Sequence, residues 1–95
     1  MAWNGHWYSF DRESILRFAP TGSGVYGLAN ETWIYAGESN SIQRRLLEHL
    51  AGDNACITGN APTQFSWELW LQKQRFARQN EVIVEFSPTC NQGAG

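Results

Sequence analysis

The chain has 95 residues, enough for one small domain with one compact core and too few for a second. Apolar residues make up 42% and charged residues 17%, which excludes a disordered chain, since disorder needs low hydrophobicity and high net charge. The net charge of −2 excludes a generally basic nucleic-acid binder, and only a local basic face remains open.

That face has candidates. Of the seven basic residues, Arg44, Arg45, Lys73, Arg75 and Arg78 fall in two short stretches. Packed side by side, these would give an acidic protein one basic surface; the alternative is two separately solvated helix faces. No apolar stretch approaches transmembrane length, and Met1-Ala-Trp-Asn-Gly-His-Trp lacks the charged start and apolar run of a signal peptide. A cytoplasmic protein without membrane association is expected. In that compartment the two cysteines, Cys56 and Cys90, are expected to stay reduced and unbonded. The Cys and His residues lack the paired spacing of a zinc site.

In chain order, Ser9 to Phe18 carries Ile15, Leu16 and Phe18 among charges and reads as a short helix closed by Pro20. Thr21-Gly-Ser-Gly24 punctuates the chain. Gly24 to Leu28 and Trp33 to Ala36 are two strand-like runs, separated by a turn at Asn30-Glu31 and close enough to pair as a hairpin. Ser39-Asn-Ser41 can cap a helix whose apolar stripe is Ile42, Leu46 and Leu50, with Gly52 ending it.

Asp53 to Pro62 reads as a polar loop. Gln64 to Trp70 alternates apolar and polar residues and predicts a third strand. Gln72 to Gln79 favours a helix, Glu81 to Phe86 fits either a helix or a strand, and Pro88 stops either one. The order helix, hairpin, helix, strand, helix predicts an α+β domain with a small, mostly antiparallel three-stranded sheet flanked by helices. The expected division is a core of about 23–91, an N-terminal extension 1–22 and a frayed tail 92–95.

Gly24-Val-Tyr26 followed by Tyr35-Ala-Gly37 resembles the paired signature of the GIY-YIG nucleases, with Val and Ala in place of the two Ile. In that family the second triplet leads into a helix bearing an Arg and, in many members, a His one turn later. Arg45 and His49 stand there. The family's later helix carries an acidic metal ligand, then two apolar residues and a Pro-x-x-Asn ending; this chain has Val82-Ile83 and Pro88-Thr-Cys-Asn91. The resemblance covers about Gly24 to Asn91.

What it implies is a DNA endonuclease using Mg²⁺ or Mn²⁺. Tyr26, Tyr35 or both would orient or deprotonate the attacking water, Arg45 would neutralise the phosphate, and His49 would accept a proton or bind phosphate. In the family the Asn91 position supports the site; the residues themselves suggest that Gly24 and Gly37 leave open backbone for substrate and that Arg44, Lys73, Arg75 and Arg78 contact DNA.

One position departs from the family. Counting back from Asn91 and Val82-Ile83, the metal-binding Glu falls at Gln79. Glu81 lies two residues on, about 200° round a helix, and so faces away. The carboxylate has been lost naturally or replaced deliberately, or a local helix distortion lets Glu81 serve. Three readings follow: an active endonuclease, a catalytically silent DNA-binding domain on the same fold, and a protein-interaction module using an exposed tryptophan surface, although most of the five tryptophans are expected in the core. The oligomeric state is left open.

Overall fold

In the computed structural model, which describes residues 3–91, Trp3 sends its indole N–H to Ser66 Oγ at 2.8 Å, and Tyr8–Ser9 (β1) pairs antiparallel with Phe65 and Gln64. The N-terminal extension thus adds a fourth strand to the three expected. This strand has only two residues, too short for any alternation to reveal it. The tail 92–95, expected to be frayed, lies outside the described residues.

Asp11 caps helix α1 (Arg12–Phe18) by accepting from the Ser14 backbone N–H at 2.8 Å. Strands β2 (Gly24–Ala29) and β3 (Trp33–Ser39) form the hairpin, and β4 (Gln64–Leu69) pairs with the other side of β2. The sheet order is β1-β4-β2-β3, with antiparallel pairing throughout. Helix α2 (Ile42–Leu50) starts at Ser41, whose hydroxyl accepts from Arg44 N–H.

Helix α3 (Ala55–Gly59) occupies the stretch read as a polar loop, because Asn54 caps it by accepting from the N–H groups of Cys56 and Ile57. Helix α4 (Gln72–Phe86) runs unbroken through the segment that fitted either a helix or a strand, and ends at Ser87 with φ of 46°. A 3-10 turn (Thr89–Asn91) follows.

The sheet separates two apolar layers. On one face Tyr26, Leu28, Ile34 and Phe65 pack with Ile15, Ile42, Leu46 and Ile57 of the three shorter helices and with Ala19 just after α1. On the other, Val25 and Ala36 pack with Val82 of α4, walled by Trp3, Trp33, Trp70, Ile83 and Phe86. A register shift at Ala29 pairs it with Trp33 and skips Ile34, so Ile34 joins Tyr35 in the first layer while Trp33 lies with Ala36 in the second. Tyr35 needs no bulge to meet Tyr26: with Leu28 opposite Tyr35 and Tyr26 opposite Gly37, the regular register puts both rings on one face.

The α2 stripe differs from the expected one. Ile42, Leu46 and His49 are buried, while Leu50 is 38% exposed. Helical geometry gives the reason. A residue seven positions on returns to within about 20° of the first, whereas one eight positions on has drifted about 80°. His49 therefore inherits the inward place.

The two cysteines are joined. Cys56 on α3 and Cys90 in the 3-10 turn form a disulfide with Cα atoms 5.8 Å apart, which corrects the expectation of two free thiols. That expectation rested on compartment and on reading the segment as a loose loop; a capped helix facing the 3-10 turn at Thr89–Asn91 fixes both sulfurs instead.

Candidate active site

Tyr26 lies at the centre of β2 directly opposite Gly37 on β3. A Cβ on Gly37 would stand 2.4 Å from Tyr26 Oη, and one on Gly24 would stand 2.1 Å from the Glu68 carbonyl oxygen. Neither glycine leaves open backbone for a substrate: the space over Gly37 is filled by the Tyr26 ring, and that over Gly24 by β4. Glycine is required at 37 because the phenol folds across it, toward α2.

There the Tyr26 hydroxyl meets His49, with Oη to Nε2 at 2.8 Å. Nδ1 of the same imidazole lies 2.8 Å from Asp53 Oδ1. The carboxylate can only accept, so Nδ1 carries the hydrogen and bare Nε2 accepts from the tyrosine. Arg45 reaches the same group: Nη1 donates to Asp53 Oδ2 at 3.0 Å and to Glu48 Oε1, and Nη2 lies 3.4 Å from His49 Nε2. Tyr35 closes the cluster, its ring 6.2 Å from that of Tyr26 and edge-on to His49 at 5.3 Å.

Burial divides the cluster in two. Tyr26 and His49 are 1% and 3% exposed, while the Arg45 side chain keeps 30% of its surface and Tyr35 is half-buried. Arg45, Tyr35, Glu48 and Asp53 are thus the groups that reach solvent, over a buried Tyr26–His49 pair. Burial raises the Tyr26 pKa, the neighbouring Tyr35 adds to this, and Arg45 opposes it, so at neutral pH Tyr26 is a neutral phenol. Burial lowers the His49 pKa against the pull of Asp53, leaving a neutral imidazole. Burial works against the charge of Asp53, but its bonds to His49 and Arg45 outweigh it and hold the carboxyl below the usual range. Arg45 stays firmly charged, since Glu48 and Asp53 overcome its desolvation.

Asn91 stands on the free edge of β3. Its Oδ1 accepts from Ala36 N–H at 2.7 Å and its Nδ2 donates to Ala36 C=O at 2.9 Å, so one side chain satisfies both backbone groups between Tyr35 and Gly37. The disulfide at Cys90 anchors the residue next to it.

The basic residues do not gather on one face. Arg78 is 2% exposed and forks onto Glu68, with Nε to Oε1 at 2.8 Å and Nη2 to Oε2 at 3.1 Å. It is an interior cation of the α4 layer and is not available to a DNA phosphate. Arg75 pairs with Glu38 and donates to Ser23 Oγ at 2.9 Å. Arg44 is exposed on α2 and Lys73 on α4, on opposite sides of the sheet. The sheet lies between the two basic stretches, so of the two arrangements left open it is the separated one that forms, and only Arg44 and Arg45 share a helix beside the tyrosines.

Gln79 is half-buried on the sheet-facing side of α4, in line with Arg75 and Val82. Glu81 is 58% exposed and lies 3.2 Å from Arg78 Nη1, and the unbroken helix offers no distortion to swing it round. A divalent cation would find few free donors here. Gln79 offers a neutral amide, and Glu38, Glu48, Asp53 and Glu81 are each paired with an arginine. No group of three or more His, Cys, Asp or Glu that could hold a metal exists among the described residues. As they stand, these residues do not fit a Mg²⁺ site, which wants anionic oxygens not already neutralised.

No protein-family model matches the sequence, and no curated protein matches it. Solved structures do. The GIY-YIG N-terminal endonuclease domain of UvrC from Thermotoga maritima, bound to its catalytic divalent cation magnesium, superposes with a TM-score of 0.71 at 23% identity, over 82% of this chain and 91% of that one. The chain has the GIY-YIG fold. Two point mutants of the same domain, bound to their catalytic cation, match at TM-scores of 0.69 and 0.71 with 24% and 22% identity, each over 82% of this chain and over 90% and 91% of theirs. On this fold the paired triplets form adjacent strands, as the sequence resemblance implied. No helix among the described residues is long and apolar enough to cross a membrane.

Asp53 and Glu48 are the members of the cluster that the sequence reading missed. A signal existed for Asp53, which stands four residues after His49 across the helix-ending Gly52. Gly52 adopts φ of 95°, the left-handed turn that folds Asp53 back against the helix it has just left.

Proposed function

We propose that this protein acts on phosphodiester bonds of DNA, with Arg45 receiving the phosphate and the Tyr26–His49 pair handling the proton of the attacking water. The observation that carries this reading is the 2.8 Å bond from Tyr26 Oη to His49 Nε2, with Arg45 Nη2 3.4 Å from the same nitrogen. A phosphate oxygen and a proton acceptor can then meet at one point.

The tyrosine need not become a phenolate first. As the water oxygen bonds to phosphorus, its proton passes to Tyr26 Oη and the tyrosine's own proton passes to His49 Nε2. The bond from phosphorus to the leaving oxygen breaks, and that oxygen takes its proton from solvent. Tyr26 is covered in the free protein, and Arg45 is part of the cover. A phosphate competes with Glu48 and Asp53 for the guanidinium, and drawing it outward gives water access to the hydroxyl. Tyr35, at the solvent side, orients the substrate.

Gln79 argues that hydrolysis by this sequence is slow. The UvrC domain binds a catalytic magnesium ion, and position 79, to which the sequence resemblance assigns the metal-binding carboxylate, is a neutral amide in this chain. The second reading, a silent DNA-binding domain, rests on the same observation. The third reading loses its footing, because all five tryptophans are half-buried and Trp3, Trp7 and Trp33 pack on one another.

The test is DNA binding measured across salt concentration. Arg45→Ala is expected to weaken binding uniformly across sequences and to reduce the salt slope by about one. Salt-independent binding, or none, would remove DNA as the partner. Plasmid nicking then separates the enzyme from the silent module.

A further inference from the structure

We propose that Asp53 is a positioning residue that fixes His49 with its hydrogen on Nδ1, and so makes Tyr26 a hydrogen-bond donor into the imidazole. The inference rests on the reading of Tyr26 and His49 as a proton-handling pair and deepens it.

The geometry is specific. Asp53 divides its two oxygens: Oδ1 meets His49 Nδ1 at 2.8 Å, and Oδ2 meets Arg45 Nη1 at 3.0 Å. One carboxylate therefore sets both groups that handle charge in the site. The groups facing His49 come from four directions: Tyr26 from β2, Tyr35 from β3, Arg45 and Glu48 from its own helix, and Asp53 from the turn beyond it. Of these, only Asp53 is a pure acceptor in hydrogen-bonding contact with the ring. Without it, Nε2 could carry the hydrogen, and the Tyr26 hydroxyl would have to accept instead of donate. A proton could then no longer pass from Tyr26 to the imidazole, because its receiving nitrogen would be occupied.

The arrangement is also asymmetric in exposure, as a support should be. The His49 side chain is 1% exposed, whereas Asp53 keeps 35% of its side-chain surface in water. The carboxylate stays charged at the rim and stabilises the positive imidazole that forms when the buried nitrogen takes a proton. The left-handed Gly52 makes this placement possible without extending the helix.

The experiment is nitrogen NMR of the imidazoles in the whole chain, without DNA or metal, with His6, exposed near the N-terminus, as internal reference. In the unaltered protein His49 is expected to show a protonated Nδ1 and an unprotonated Nε2. Asp53→Ala is expected to reverse or mix the two signals. Asp53→Asn keeps an acceptor oxygen and is expected to retain the tautomer while lowering the pH at which His49 charges. An unaltered protein with the hydrogen on Nε2, or an Asp53→Ala variant with unchanged signals, overturns the proposal. If the Ala variant does not fold, an Asn variant with an unchanged His49 titration overturns it. The readout needs no cleavage, so a confirmed tautomer in a protein that neither binds nor cuts DNA would overturn the nuclease reading alone.

Discussion

Tyr26 and His49, 23 residues apart in the chain, share a 2.8 Å hydrogen bond at a place where neither is more than 3% exposed. A neutral imidazole is thus part of the folded interior. Burial lowers its pKa below the ordinary 6.5, with Asp53 resisting. The unfolded chain takes up a proton as pH falls through 6.5, and the folded chain does so only at lower pH. Stability is therefore full above that value and declines as pH falls toward the folded pKa. Asp53 acts in the same direction further down: its carboxyl is depressed below 3.8, so its contribution holds above 3.8 and is lost as pH falls through the folded value. Urea midpoints are expected to drop between about pH 7.5 and about pH 5, and His49→Gln is expected to flatten the drop. An identical slope in the variant would place the titration elsewhere.

The disulfide gives a second expectation. It closes a separation of 34 residues between α3 and the turn that holds Asn91. A loop of that size contributes about 4 kcal/mol through the entropy it removes from the unfolded chain. Denaturation with and without a dithiol should differ by a large part of that amount. Cys56→Ser with Cys90→Ser should reproduce the reduced protein and no longer respond to the dithiol. Thiol titration of unfolded, unreduced protein is expected to count no free groups, and a count of two would overturn the bond.

Most of the fold was legible because its signals are local. The two triplets flank a short turn, Gln64 to Trp70 alternates, and Ile42 and Leu46 mark a buried helix face. What was missed depends on partners distant in sequence. Tyr8 and Ser9 become a strand only because β4 offers an edge, and Cys56 meets Cys90 only because Asn54 starts a helix there. The site divides the same way. Tyr26, Tyr35, Arg45 and His49 do converge, while Arg78 turns inward, since nothing in its own segment tells that Glu68 waits beneath it.

Arg78 therefore makes a clear case. Its guanidinium forks onto Glu68 with both groups buried, it is held charged chiefly by that bond, and it lies against the rings of Trp3 and Trp70 at 5.8 and 5.9 Å. Arg78→Ala would leave the Glu68 carboxylate buried without its main partner, at a cost of about 3 to 5 kcal/mol. The expected result is a protein that unfolds at much lower denaturant. Lys73→Ala, on the exposed side of the same helix, should scarcely change stability. A stable Arg78→Ala protein with weakened DNA binding would return Arg78 to the interface.

Gln79 carries the last expectation. A glutamine amide presents a neutral dipole where a carboxylate would present an anionic oxygen, and Glu38 and Glu81 are both engaged by arginines of α4. Gln79→Glu is nearly isosteric at a half-buried position, so the fold should tolerate it. If the restored oxygen contributes about 3 kcal/mol to the transition state, cleavage should rise by roughly a hundredfold. Supercoiled plasmid or branched DNA, across Mg²⁺ and Mn²⁺, provides the assay. The Glu form is expected to nick in a metal-dependent way, and adding Arg45→Ala is expected to remove that gain. DNA affinity should fall slightly in the Glu form, because a new anion approaches the phosphates. Equal activity of both forms would mean that position 79 is not the ligand and would direct the same substitution test to Glu81. If both forms bind DNA yet cleave none of the substrates, the silent DNA-binding reading replaces the nuclease.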